Sequence, residues 1–209
     1  MTEVEAVLTE NIQHRLVAVG PLDGQFGVHP ALSIPPEAAD FVFATSSADP
    51  SLRTYALFDA GRVEGLPERL ETEGVAFDCL VSGPSRDSLG AVSPWLVALA
   101  PDSRLCRDLF TRGPAPWDLW GREACVLFQS RASLPDLVAH FRRFTRIRDR
   151  DGNWHFFRFQ EPLVMRTIVM GLRPEARQEF LAPFGRVIVP DNGDVLHVFD
   201  MPPEYPSAA

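Results

Sequence analysis

The chain has 209 residues, the length of one domain with extensions, or of one domain plus a small lobe, and enough to bury a core without a disulfide or a metal. Its formal net charge of −8 argues against non-specific attachment to nucleic acid or anionic lipid, which requires a basic face. All 20 basic residues are arginine, so Schiff-base chemistry, a phosphate-loop lysine and a lysine general base are excluded.

At the N-terminus Glu3, Glu5 and Glu10 stand where a signal peptide would carry basic residues, and no signal peptide is expected. An amphipathic helix is expected over 3–16. Pro21, Pro30, Pro35 and Pro36 then break regular structure, so 20–50 reads as an irregular lead-in with one short strand at Phe41–Ala44. Residues 1–50 are therefore set apart as an extension.

A compact α/β domain is expected over 51–185. Leu52–Asp59 reads as a strand, Val63–Glu73 as a helix closed by Gly74, and Val75–Val81 as a second strand. That succession has the spacing of a βαβ unit. Trp95–Ala100 reads as a strand, Ser103–Thr111 as a helix and Ala124–Ser130 as a strand. The clearest helix is Ser133–Thr145: Ser133 can cap it, Pro135 and Asp136 suit its first turn, and Leu134, Leu137, Val138, Phe141 and Phe144 share one face. Arg146–Arg148 and Trp154–Gln160 flank an Asp151-Gly152 turn and form a hairpin. Short helices follow at Glu161–Gly171 and Pro174–Leu181. A last hairpin, 186–201, folds about Asn192-Gly193, and 202–209 is expected to be a disordered tail. The predicted class is α/β: a mixed sheet of about five strands, packed helices and a small C-terminal helix-plus-hairpin lobe.

Few residues suggest chemistry. Cys79, Cys106 and Cys125 are far apart without a CxxC, as in a reducing cytoplasm, and Cys79 and Cys125 sit in apolar runs. Ser82 and Ser85 follow a strand, where a nucleophile could sit, but no GxSxG elbow surrounds them. His14, His29, His140, His155 and His197 are scattered, without the spacing of a zinc site, and His140 is placed on the polar face of its helix. Asp149-Arg150-Asp151-Gly152 resembles the start of a calcium loop, but its glycine comes two positions early and no later glutamate completes it. No GxGxxG follows a strand, so no dinucleotide fingerprint is present. No cofactor, no metal and no catalytic set is expected.

Two groups suggest binding instead. Arg142, Arg143, Arg146, Arg148, Arg150 and Arg158 form a basic cluster in an acidic chain, either a solvated face or a docking patch for an acidic partner. Trp117 and Trp120 lie in a Pro- and Gly-containing loop, either as interface anchors or as a buried corner.

Several segments together resemble a known family. They are Tyr55-Ala-Leu-Phe-Asp59, Cys79-Leu-Val-Ser-Gly-Pro84, Trp120-Gly121, and above all Phe141-Arg-Arg-Phe-Thr-Arg-Ile-Arg-Asp149 running on to Asp151-Gly152-Asn-Trp154 and Phe156-Phe-Arg-Phe-Gln-Glu-Pro162. In this order, over roughly 52–185, they are similar to the domain of unknown function 4123 family. Glu161 departs from the aspartate expected before Pro162. The resemblance implies an adaptor, or effector chaperone, of bacterial type VI secretion. Such a protein is cytoplasmic and non-catalytic, and its partners are a toxic effector and the VgrG spike. Arg142, Arg143, Arg146, Trp117 and Trp120 are the candidate partner-binding residues. Nucleic acid and membrane are not expected as partners. The alternatives are a hydrolase using Ser82 or Cys79, and an immunity protein that neutralises a toxin.

Overall fold

The computed structural model describes residues 12–43, 49, 51–191 and 193–202. Its elements run β1 (Gln13–Ala18), α1 (Pro36–Val42), β2 (Arg53–Asp59), α2 (Leu66–Glu73), β3 (Phe77–Cys79), α3 (Pro84–Leu89), β4 (Pro94–Ala98), α4 (Arg104–Phe110), β5 (Cys125–Ser130), α5 (Leu134–Arg142), β6 (Arg146–Arg148), β7 (Trp154–Phe156), α6 (Pro162–Gly171), α7 (Pro174–Leu181), β8 (Phe184–Pro190) and β9 (Val195–Asp200).

Side chains alternate across a strand, and along β2 both faces are covered. Ala56 and Phe58 enter one core with Leu66 and Leu70 of α2, Phe41 of α1 and Leu105 and Phe110 of α4. Tyr55 and Leu57 enter the other with Leu137 and Phe141 of α5, Ile168 of α6 and Phe180 of α7. The domain is thus three layers, with α1, α2 and α4 on one side of the sheet and α5, α6 and α7 on the other. Each fully buried Leu or Phe in such a layer contributes about 1.5–3 kcal/mol of transfer free energy. Burial on both faces is why β2 and β5 read as unbroken apolar runs.

The α/β class expected from the sequence holds, with a difference in the sheet. Among the described residues its strands number seven instead of about five, in the order β1-β9-β8-β5-β2-β4-β3, and every neighbouring pair is antiparallel where a mixed sheet was expected. The βαβ spacing misleads on pairing only: β2 and β3 do run parallel, but β4 lies between them and pairs with both. The C-terminal hairpin β8–β9 joins the main sheet through β5 instead of standing off in a lobe.

The N-terminal segment departs most from expectation. Of the helix expected over 3–16, residues 3–11 lie outside the described residues and Gln13–Ala18 is a strand, paired with β9 from Gln13↔Asp200 to Ala18↔Val195. Phe41, expected in a strand, ends helix α1, whose first residue is Pro36; Ala44 lies outside the described residues. The expected tail is described only at Pro202. For α1 the cause is proline, which starts a helix there instead of breaking one: α1, α2, α3, α5, α6 and α7 each carry one at the first or second helical position. There its missing N–H costs nothing and its fixed φ favours the helix. Two cap expectations hold, with Ser133 Oγ accepting from Asp136 N and Gly74 closing α2 at φ 67°. At Gly113 a side chain would collide with the carboxylate of Asp118.

Candidate functional site

The six clustered arginines of the sequence part company in space. Arg142, half-buried, turns inward from the end of α5. Its Nε donates to the Leu80 carbonyl at 3.1 Å and its NH2 group to the Cys79 carbonyl at 2.8 Å and to Asp78 Oδ2 at 3.2 Å. It ties the end of β3 to α5. Arg143 pairs with Glu179 of α7 at 2.5 Å. Arg158 reaches back to the fully buried Asp59 at 2.7 Å. Arg146, Arg148 and Arg150 are exposed and have no carboxylate partner among the described residues.

The tryptophans also divide. Trp120 donates from Nε1 to Asp194 Oδ1 at 3.2 Å and tilts against Phe110. It roofs an apolar cavity of about 30 Å³, room for one water molecule. Trp117 is 46% exposed, on the rim of an open depression of about 480 Å³ that His29 and Asp118 also line.

The residues named for hydrolysis are not gathered. Cys79 is fully buried and desolvation pushes its thiol pKa up, away from the thiolate a nucleophile needs. Ser82 is exposed and makes no hydrogen bond among the described residues. His140, expected on a solvated face, is instead half-buried. Its Nε2 lies 2.9 Å from the Phe180 carbonyl, and its ring packs against Phe144 and Phe184. Burial lowers its pKa. His155 is bound to Asp149 at 2.7 Å. The loop that resembled a calcium site is a turn closed by Asp149, whose carboxylate accepts from the backbone N–H of Asp151 and Asn153. These bonds, and first of all the one from His155, lower the Asp149 pKa.

The exposed arginines belong to a small hairpin that stands apart from the main sheet. Strands β6 and β7 pair only with each other, in the register Arg146↔Phe156, Ile147↔His155 and Arg148↔Trp154, and every residue of both is exposed. Residues directly opposite share a face. One face therefore carries Arg146 and Arg148 in a row beside Phe156 and Trp154. The Arg146 guanidinium lies 5.6 Å from the Phe156 ring centre and that of Arg148 4.8 Å from the Trp154 ring centre, both cation–π contacts. Trp154 is 60% and Phe156 65% exposed. The opposite face carries Ile147 and His155.

Both feet of this hairpin are anchored. Phe141 at the end of α5 stacks on the fully buried Phe159, ring centres 5.2 Å apart. Phe157 N donates to the Thr145 carbonyl at 3.0 Å, continuing the ladder below β6. Exposed aromatics with arginine are the composition of interface anchors. The sequence reading named Arg146 in this group but not Trp154 or Phe156. Their alternation with His155 was the available signal.

The model of the family described as "Domain of unknown function (DUF4123)" matches residues 54–179, more than half of the chain. The chain belongs to the DUF4123 family. The match runs from β2 into α7 and includes the exposed hairpin, while β1, α1, β8 and β9 lie outside it. No curated protein and no solved structure is similar enough to count as a match. Among the described residues of this DUF4123 chain, no group of three or more His, Cys, Asp or Glu side chains is placed to hold a metal ion. No helix among them is long and apolar enough to cross a membrane.

Proposed function

We propose that this DUF4123 protein is a type VI secretion adaptor. In the cytoplasm of the producing cell it holds a toxic effector and promotes its loading onto the VgrG spike, without catalysing a reaction. Two things support the reading: membership of the family, and the resemblance of the block Phe141–Pro162 to that of such adaptors. The observation that carries it is the exposed hairpin at the centre of that block, where arginine and aromatic side chains face solvent on a rigidly rooted arm. A chain that works by binding needs such anchors and needs no nucleophile beside a base.

The test is deletion of the gene in the producing cell. The expected result is loss of one effector from the secreted fraction, restored by complementation, with the spike itself still secreted. Secretion of every effector at the wild-type level would refute the adaptor role. An immunity protein differs in one readout, since only it would rescue a sensitive cell when produced there alone.

A further inference from the structure

We infer that the Arg146–Arg148/Trp154–Phe156 face of the hairpin is the docking site for an extended, acidic segment of a protein partner, one whose alternate residues are glutamate or aspartate. The inference rests on the adaptor reading for the partner's identity and on the hairpin's own geometry for its chemistry. Arg146 and Arg148 lie two residues apart on one strand, so their side chains repeat at about 6.7 Å along one face. An extended peptide repeats its own side chains at the same interval. Carboxylates at its alternate positions therefore meet both guanidinium groups in register, and the methylenes beneath them lie across Phe156 and Trp154.

Charge selects this occupant. The chain as a whole carries −8, yet Arg146, Arg148 and Arg150 stand on this arm without a carboxylate partner among the described residues. Asp149, the residue after Arg148, is taken up by the backbone of its own turn and by His155. The guanidinium groups already lie over aromatic rings, so little side-chain freedom is lost when an anion binds them. An apolar partner would leave the two cations desolvated and unpaired, which is unfavourable. The opposite face, with Ile147 and His155, lacks the paired cations and is not part of the site.

The test uses the full chain and a fluorescently labelled synthetic peptide alternating glutamate and threonine, read by anisotropy. The expected result is saturable binding that weakens on raising salt, absent for the peptide with glutamine in place of glutamate. Arg146→Gln with Arg148→Gln should weaken it about tenfold or more, and so should Trp154→Ala with Phe156→Ala. Both pairs are exposed, so circular dichroism should report an unchanged fold. Equal binding by wild type and either double variant would overturn the proposal, as would no binding at all, or tighter binding of a single-stranded oligonucleotide of equal charge. The same variants separate this proposal from the adaptor role. If Arg146→Gln/Arg148→Gln abolishes peptide binding but the gene deletion leaves secretion intact, the docking site stands and the adaptor reading falls. If secretion depends on the gene but not on these residues, the reverse holds.

Discussion

Arg158 and Asp59 lie 99 residues apart in sequence and 2.7 Å apart in space. Asp59, at the end of β2, is fully buried and also accepts from Gly61 N at 3.1 Å, whereas the Arg158 side chain is 53% exposed. The pair fastens the root of the hairpin to the central strand. Its two halves are not equivalent. Removing Arg158 leaves a buried carboxylate whose remaining partners are the Gly61 N–H and, as the one nearby cation, Arg62 at 3.9 Å, while removing Asp59 leaves an arginine that water and Glu161 can still satisfy. Arg158→Ala is therefore expected to cost about 2–4 kcal/mol and Asp59→Asn about 1–2 kcal/mol. Urea unfolding of both variants gives the order.

Arg142 and Arg146 are four residues apart and predict opposite outcomes. Arg142 donates to three acceptors at the end of β3, two of them backbone carbonyls. Arg142→Ala should cost about 1–3 kcal/mol by taking the side-chain donor from the two carbonyls, while Asp78 keeps Arg86. Arg146→Ala removes an exposed side chain and should stay within about 0.5 kcal/mol. Thermal unfolding of the two variants side by side distinguishes a structural arginine from a binding one.

Acid should destabilise the fold before its carboxylates titrate. Burial lowers the His140 pKa, and burial followed by the nearby His197 lowers that of His14. The unfolded chain then binds more protons than the folded one, so this part of the stability is complete above the ordinary histidine value of 6.5 and is lost as pH falls through it. Loss from Asp149 and Asp194, whose pKa values are held low, begins only below the usual carboxylate value of 3.8. The urea midpoint should fall between about pH 7.5 and about pH 5.5, and His140→Gln should fall less over the same interval. An equal fall in both proteins would remove His140 as a cause.

The three thiols should be inert in the folded protein. Cys79, Cys106 and Cys125 are fully buried, and desolvation pushes the Cys106 pKa up to about 12. A thiol reagent should label none of them quickly in native buffer and all of them in denaturant. Rapid labelling of one thiol in native buffer would show an opening near it.

Local signals in the sequence carried most of the central domain. Leu52–Asp59 and Ala124–Ser130 were visible because both faces of the two strands are buried, and Ser133 and Gly74 marked helix ends because capping is a local interaction. Non-local pairing was not visible. β1 is a mostly exposed edge strand held by β9, near the other end of the sequence, and nothing within Gln13–Ala18 announces that partner. Pro36 reads as a breaker of structure, whereas it starts helix α1. At the candidate site, the run of arginines was legible but its division was not. Only the register Arg148↔Trp154 and the inward turn of Arg142 decide which cations face solvent. Trp154 and Phe156 look like core residues in sequence, since a strand aromatic normally packs on a sheet, and here the hairpin stands away from it.

The adaptor reading is tested most directly by purifying the full chain from the producing cell under mild conditions and measuring the composition and mass of what elutes with it. The account predicts a complex containing the chain, one effector and the VgrG spike together, which weakens when Arg146 and Arg148 are replaced by glutamine. A chain that elutes alone, or that binds the effector and by itself protects a sensitive cell, would contradict it.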